Sequence, residues 1–193
     1  TQASTNEIDN IPLVDVPNST IQLGGTFESF YSNIWFDQYA GISGNMFGRS
    51  SFKNLHINSK RHIIDFGYGS NNTDVSDIYF NYYDNPASDI EVSLIYINES
   101  SHDLIINNIY GSGGWNGNNI INIAGGAHDI YLNNSKFNFP SLSNNNFGVF
   151  ISDESGEVYS RNITIENWYM NCEEIGQFLR IAGDNANDTI VRD

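Results

Sequence analysis

The side chains best suited to chemistry in this sequence are carboxylates, imidazoles and aromatic rings. Asp153, Glu154 and Glu157 form the densest acidic loop, and Arg161 or Arg180 is a candidate to lie near it. Carboxylate oxygens bind calcium and a neighbouring Arg can take a proton, which is what eliminative cleavage of a polysaccharide requires. A solvated turn in an acidic protein explains the same residues and is the commoner case. The four histidines, His56, His62, His102 and His128, are not spaced as metal ligands. His102 and His128 stand at equivalent places in successive repeats, as a recurring corner would place them. Tyr79, Tyr131 and Tyr96, with Trp115 and Tyr110 in a Gly-rich corner, have Asn neighbours. Such rings suit sugars, whose C–H faces stack on them while amides bond the hydroxyls. A stripe of this kind serves equally as a subunit interface or as covered packing.

The elements that would position these residues are written as a repeat. Asp77-Ile78-Tyr79-Phe80-Asn81 returns as Asp103-Leu104-Ile105-Ile106-Asn107 and as Asp129-Ile130-Tyr131-Leu132-Asn133, each copy 26 residues after the last. The frame extends to Asn54-Leu55-His56-Ile57-Asn58, to Asn162-Ile163-Thr164-Ile165-Glu166 and to Asp188-Thr189-Ile190-Val191. A period of this size marks stacked units that cannot bury an apolar face alone. Within each copy the apolar residues alternate, as in a half-buried strand. A second alternating run follows in each repeat, at Ile95-Tyr96-Ile97, Ile121-Asn122-Ile123, Val149-Phe150-Ile151 and Leu179-Arg180-Ile181. Two strands per turn, joined by Gly/Asn/Ser corners, predict an all-β parallel solenoid with coils of about 26 residues. Its outward positions on the first strand read His56, Tyr79, Ile105, Tyr131 and Thr164; those on the second read Tyr96, Asn122, Phe150 and Arg180. Stacking predicts one column of Asn58, Asn81, Asn107 and Asn133 whose amides bond each other and unpaired backbone.

Charge excludes several partners. With 8 Lys and Arg against 23 Asp and Glu, the net charge is −15, so nucleic acid and an anionic membrane surface are disfavoured. No apolar run approaches the roughly 20 residues of a membrane span, so membrane insertion is not expected. The single cysteine, Cys172, excludes an internal disulfide and a cysteine zinc cluster. Six N-x-Ser/Thr sequons, among 29 Asn, barely exceed the roughly four that chance gives, so they carry no information on glycosylation.

In order, residues 1–10 predict a flexible leader or a tail that pairs only with a partner. Residues 11–53 predict irregular N-terminal coils, and residues 54–193 the regular solenoid. The stretch 138–147 reads as a longer corner, and Met170-Asn171-Cys172-Glu173-Glu174 is the one stretch suited to a helical turn. A chain that starts at Thr1 and stops in mid-repeat predicts a mature product or a piece of a longer protein.

The Asn ladder with its S-x-N-I-x-I-x-N pattern resembles the pectin-lyase-like superfamily over about residues 50–193. That superfamily comprises pectate lyases, polygalacturonases and phage tailspikes. The resemblance implies a right-handed single-stranded parallel β-helix. It also implies an extracellular or virion-surface module that meets cell-surface glycans, and assembly as a homotrimer. Asn72-Thr73-Asp74 is similar to the N-T-D motif of polygalacturonases, which makes Asp74 a candidate acid. The Asp-Asp pair and the Gly-His-Gly of that family are replaced by Glu91-Val92-Ser93 and Gly117-Asn118-Asn119. Inverting hydrolysis needs two carboxylates across the bond, so a binding module is expected ahead of a hydrolase or lyase. A self-assembling surface fibre, joined coil to coil through open ends, is the third expectation.

Overall fold

The computed structural model describes residues 7–9, 12–13, 21–22, 28, 30–37, 42–44, 48–59, 64–67, 69–82, 93–113, 119–139, 147–151, 160–172, 177–181 and 187–192. Among them every regular element is a strand. The first eight are β1 (Glu7–Asp9), β2 (Pro12–Leu13), β3 (Ile21–Gln22), β4 (Phe30–Asp37), β5 (Ile42–Gly44), β6 (Ser51–Ser59), β7 (Ile64–Phe66) and β8 (Asn71–Tyr82). The rest are β9 (Ser93–Ile97), β10 (His102–Gly113), β11 (Asn119–Ile123), β12 (His128–Phe139), β13 (Phe147–Ile151), β14 (Arg161–Cys172), β15 (Gln177–Ile181) and β16 (Asn187–Arg192).

One sheet has the order β1-β4-β6-β8-β10-β12-β14-β16, with β2 also on β4; the other has the order β15-β13-β11-β9-β7-β5-β3. Every neighbour is parallel, so each pair needs a crossover. From β3 onward the crossover of one sheet is a strand of the other. The second runs named from sequence, Ile95–Ile97, Ile121–Ile123, 149–151 and 179–181, lie on β9, β11, β13 and β15 and pair in register.

The long strands of the first sheet turn sharply at residues with left-handed backbone. Arg49 and Asn54, Asn72 and Asp77, Asp103 and Asn108, Asp129 and Asn134, and Asn162 and Asn167 all have φ between 48° and 57°. Asn and Asp tolerate this region because their short polar side chains bond locally. Each such residue restarts the alternation. In β10 the buried residues are Leu104 and Ile106, then Ile109 and Gly111. Core columns therefore form on each side of a bend, such as Val75–Ile106–Leu132–Ile165 and Leu55–Ile78–Ile109. Full burial of one such side chain is worth about 1.5–3 kcal/mol, so these columns are the main stabilising contact.

Two expectations need correction. The predicted Asn column is two pieces: Asn58 pairs with Asn81, and Asn107 with Asn133, but Asn107 lies beside Ser76 and Asn81 beside Ser112. The hydrogen-bonded ladder runs instead through the bend residues. Asn54 donates to Asn33, Asn108 to Asp77, and Asn134 to Asn108. These partners lie 21, 31 and 26 residues apart, so the windings differ in length while the bends stay aligned. The second correction concerns Met170, Asn171 and Cys172, which continue β14 rather than opening a helical turn, because Met170 and Asn171 pair with Phe137 and Asn138. The pairing also extends upstream of residue 54, with Ile34 beside Leu55 and Trp35 beside His56. Glu7–Asp9, within the expected leader, pair with Phe30–Ser32.

Candidate functional site: two outward columns and the groove between them

Parallel in-register pairing carries equivalent outward side chains into columns about 4.8 Å apart per step. The longest is Trp35, His56, Tyr79, Tyr110, Lys136 and Tyr169. Trp35 stacks on His56 at 5.2 Å, His56 on Tyr79 at 4.9 Å and Tyr79 on Tyr110 at 5.2 Å, with ring planes within 16° of parallel. Beyond them the Lys136 ammonium sits 5.4 Å from the centre of the Tyr169 ring. Two residues further along each strand runs a polar column of Asn58, Asn81, Ser112, Asn138 and Asn171. Asn171 donates to Asn138 at 2.8 Å, and Ser112 donates to Asn81 at 3.4 Å.

Between these columns lies a groove of about 670 Å³. One wall is Trp35, His56, Tyr79, Tyr110 and Lys136; the other is Asn58, Asn81, Ser112 and Asn138. Ile57, Phe80 and Gly111 form its floor. Among the described side chains no carboxylate lines it, although Asp and Glu outnumber Lys and Arg 23 to 8 in the chain. Tyr79 is 40% exposed and Trp35 43%. Because the rings cover one another's faces, what they present to the groove is edges and phenol hydroxyls. Face stacking of a sugar, expected from sequence, is thus restricted to the ends of the run.

A second outward column, Asp74, Ile105, Tyr131, Thr164 and Ile190, stands on the other side of the bend. The column read from sequence therefore divides: His56 and Tyr79 join Tyr110, whereas Ile105, Tyr131 and Thr164 join Asp74. Tyr131 donates to Glu166 Oε2 at 2.8 Å, and Arg192 lies 3.4 Å from Glu166 Oε1. That hydrogen bond raises the Tyr131 phenol above its ordinary pKa. Asp74, Asp103, Asp129 and Tyr131 share a smaller groove of about 350 Å³. Asp129 is held below the usual carboxylate range, first by its hydrogen bond with His128 and next by one from Asn162, with Arg161 adding attraction. It stays ionised and is unsuited to be a general acid, which needs a raised pKa.

Tyr96 lies apart from both grooves, on the second sheet between Asp65 and Asn122. Arg161 lies beside His128. Trp115, His62 and the acidic loop of Asp153, Glu154 and Glu157, with its expected calcium, lie outside the described residues. Among the described residues no group of three or more His, Cys, Asp or Glu is placed to hold a metal ion. Sequence reading missed Trp35, Ser112 and Asn138 as wall residues, because only the true register brings them beside Tyr79 and Asn81. No protein-family model and no curated protein matches the chain.

Proposed function

We propose that the chain is a right-handed parallel β-helix of the pectin-lyase-like kind that binds a linear glycan lying along its axis. Handedness rests on the general rule that crossovers between parallel strands of one sheet are right-handed. The observation that carries the binding reading is the groove itself: an aromatic wall faces an amide wall, repeated strand after strand. Amides both donate and accept, as sugar hydroxyls do, and ring edges cover the apolar parts of a pyranose. Lys136 puts one positive charge in the wall of a groove on a strongly acidic protein, so hydroxyls and an occasional acidic group on the polymer both find a partner there. This reading places the chain outside the cell or on a virion surface, where such glycans are met.

The test is binding of the whole chain to a glycan array, with Tyr79→Ala, Tyr110→Ala and Tyr96→Ala compared. Loss of tenfold or more for the first two, equivalent to about 1.4 kcal/mol, with no change for Tyr96→Ala, is expected. Equal loss in all three, or none, contradicts the groove. Polysaccharide cleavage is a second reading, favoured by the grouping of Asp74, Asp103 and Asp129. Release of product that disappears in Asp74→Ala would establish it.

A further inference from the structure

One ring of the aromatic wall carries nitrogen on both edges, and the bend ladder decides which nitrogen meets the groove. His56 is half-buried between Trp35 and Tyr79, with ring planes 7° and 14° from its own. Rings stacked from strand to strand have their planes across the stacking axis, so the plane of His56 runs along its own strand. Within that plane His56 Nε2 lies 3.1 Å from Asn54 Oδ1, two residues upstream. The two nitrogens of an imidazole stand on opposite sides of its Cβ–Cγ axis. With Nε2 turned upstream, Nδ1 is turned downstream toward Asn58, into the groove that His56 and Asn58 both line. The ladder also fixes the proton. Asn54 gives its amide N–H to Asn33 Oδ1, which leaves its carbonyl for His56. A carbonyl only accepts, so Nε2 carries the proton and Nδ1 of the neutral ring keeps its lone pair.

We infer that His56 is a specificity-determining residue of the groove, whose Nδ1 takes the hydrogen of one glycan hydroxyl, with Asn54 as the positioning residue that holds the tautomer. The inference rests on the glycan reading and adds to it a chemical preference. Other wall groups are weighted toward donation. Lys136 has no acceptor, and the carbonyls of Asn81 and Asn138 already accept from Ser112 and Asn171, which leaves their N–H groups for a ligand. His56 Nδ1 supplies the complementary acceptor, held in place by a ring on either face and by Asn54 behind it. A hydroxyl at this point has a hydrogen to give. An ether oxygen at the same point has none and leaves Nδ1 unpaired, and a site built around a hydrogen bond rejects the analogue that lacks it.

The test takes two measurements on the whole chain. In a long-range ¹H–¹⁵N spectrum at about pH 8, above the ordinary imidazole range, His56 is expected as the Nε2–H tautomer. Asn54→Gly, which tolerates the left-handed backbone at φ 52°, is expected to release the ring into a mixture of both tautomers. On the glycan array, His56→Phe keeps a ring in the stack and removes both nitrogens. It is expected to weaken binding about fivefold, the usual size of one neutral hydrogen bond, and to narrow the difference between each bound glycan and its O-methylated form. Circular dichroism of each variant separates loss of the contact from loss of the fold. An Nδ1–H tautomer in the parent, or undiminished array binding by folded His56→Phe, overturns the role of His56 and leaves the groove standing. A parent chain that binds no glycan on the array overturns the glycan reading and this inference together.

Discussion

Asn108 donates from Nδ2 to Asp77 Oδ1 at 2.9 Å, joining residues 31 positions apart. Both have left-handed backbone, with φ of 55° and 57°, and they align the bends of β10 and β8. The alignment of bends sets the register, and the register sets which side chains share a groove. Asn108→Ala removes the ladder contacts and places a Cβ residue without a local bond in the left-handed region. A loss of about 2 kcal/mol or more is expected in urea unfolding, against about 1 kcal/mol for Asn108→Gly, which keeps the backbone conformation. Equal losses for both would assign the whole effect to the side-chain bonds.

Gly111 makes room for a core ring. A Cβ at this position would stand 2.0 Å from Phe80 Cζ, and the Phe80 ring in turn packs tilted against Phe137 at 6.1 Å. Gly111→Ala is therefore expected to destabilise by about 1–3 kcal/mol through overpacking, and the double variant with Phe80→Leu to recover part of that loss. Thermal unfolding of the four proteins in this cycle checks it.

The Tyr131–Glu166 bond gives a spectroscopic prediction. Its phenol is raised above the ordinary value because Glu166 accepts its proton and bears negative charge. This stabilisation is present below the unfolded-state pKa of about 10 and is lost as pH rises through the folded-state value. In an ultraviolet phenolate titration Tyr131 is expected to ionise late, and Glu166→Gln to bring it back toward the ordinary value.

Asp129 has the opposite sign. Its folded-state pKa is depressed, so its contribution is complete above the ordinary carboxylate value of about 3.9 and disappears as pH falls below it. Asp129→Asn is expected to lower stability at neutral pH, and by progressively less as the pH falls below the ordinary carboxylate value and through the depressed folded-state one. Parallel loss at neutral and acidic pH would mean the side chain acts by shape alone.

Much of the architecture was legible in the residues. Alternation at Leu104–Ile106 and Ile130–Leu132, together with the second runs at Ile95–Ile97 and Ile121–Ile123, specified strands, parallel pairing and the two-sheet alternation. The partnership of Asn81 was not legible, for a definite reason. Each of β8, β10, β12 and β14 carries two left-handed Asn or Asp residues five positions apart, as at Asp103 and Asn108, each followed by alternating apolar positions. The frame beginning at Asp77 therefore matches the frame beginning at Asp103 by sequence, while in space it lies beside the one beginning at Asn108. Equal spacing favoured the wrong partner, since the winding that joins β8 to β10 is longer than the next one. The groove inherited that slip: Tyr79 was expected beside Ile105 and Tyr131 and lies beside Tyr110, so Ser112 and Asn138 went unseen as its walls.

The pairing of Tyr79 can be tested by cross-linking in a Cys172→Ser background. In-register positions on neighbouring parallel strands lie about 4.8 Å apart, within the Cα separation of up to about 7 Å that a disulfide bridges. Tyr79→Cys with Tyr110→Cys is predicted to close an intramolecular disulfide on mild oxidation, and Tyr79→Cys with Ile105→Cys to remain reduced. Closure of the second pair and not the first would contradict the register, and with it the groove.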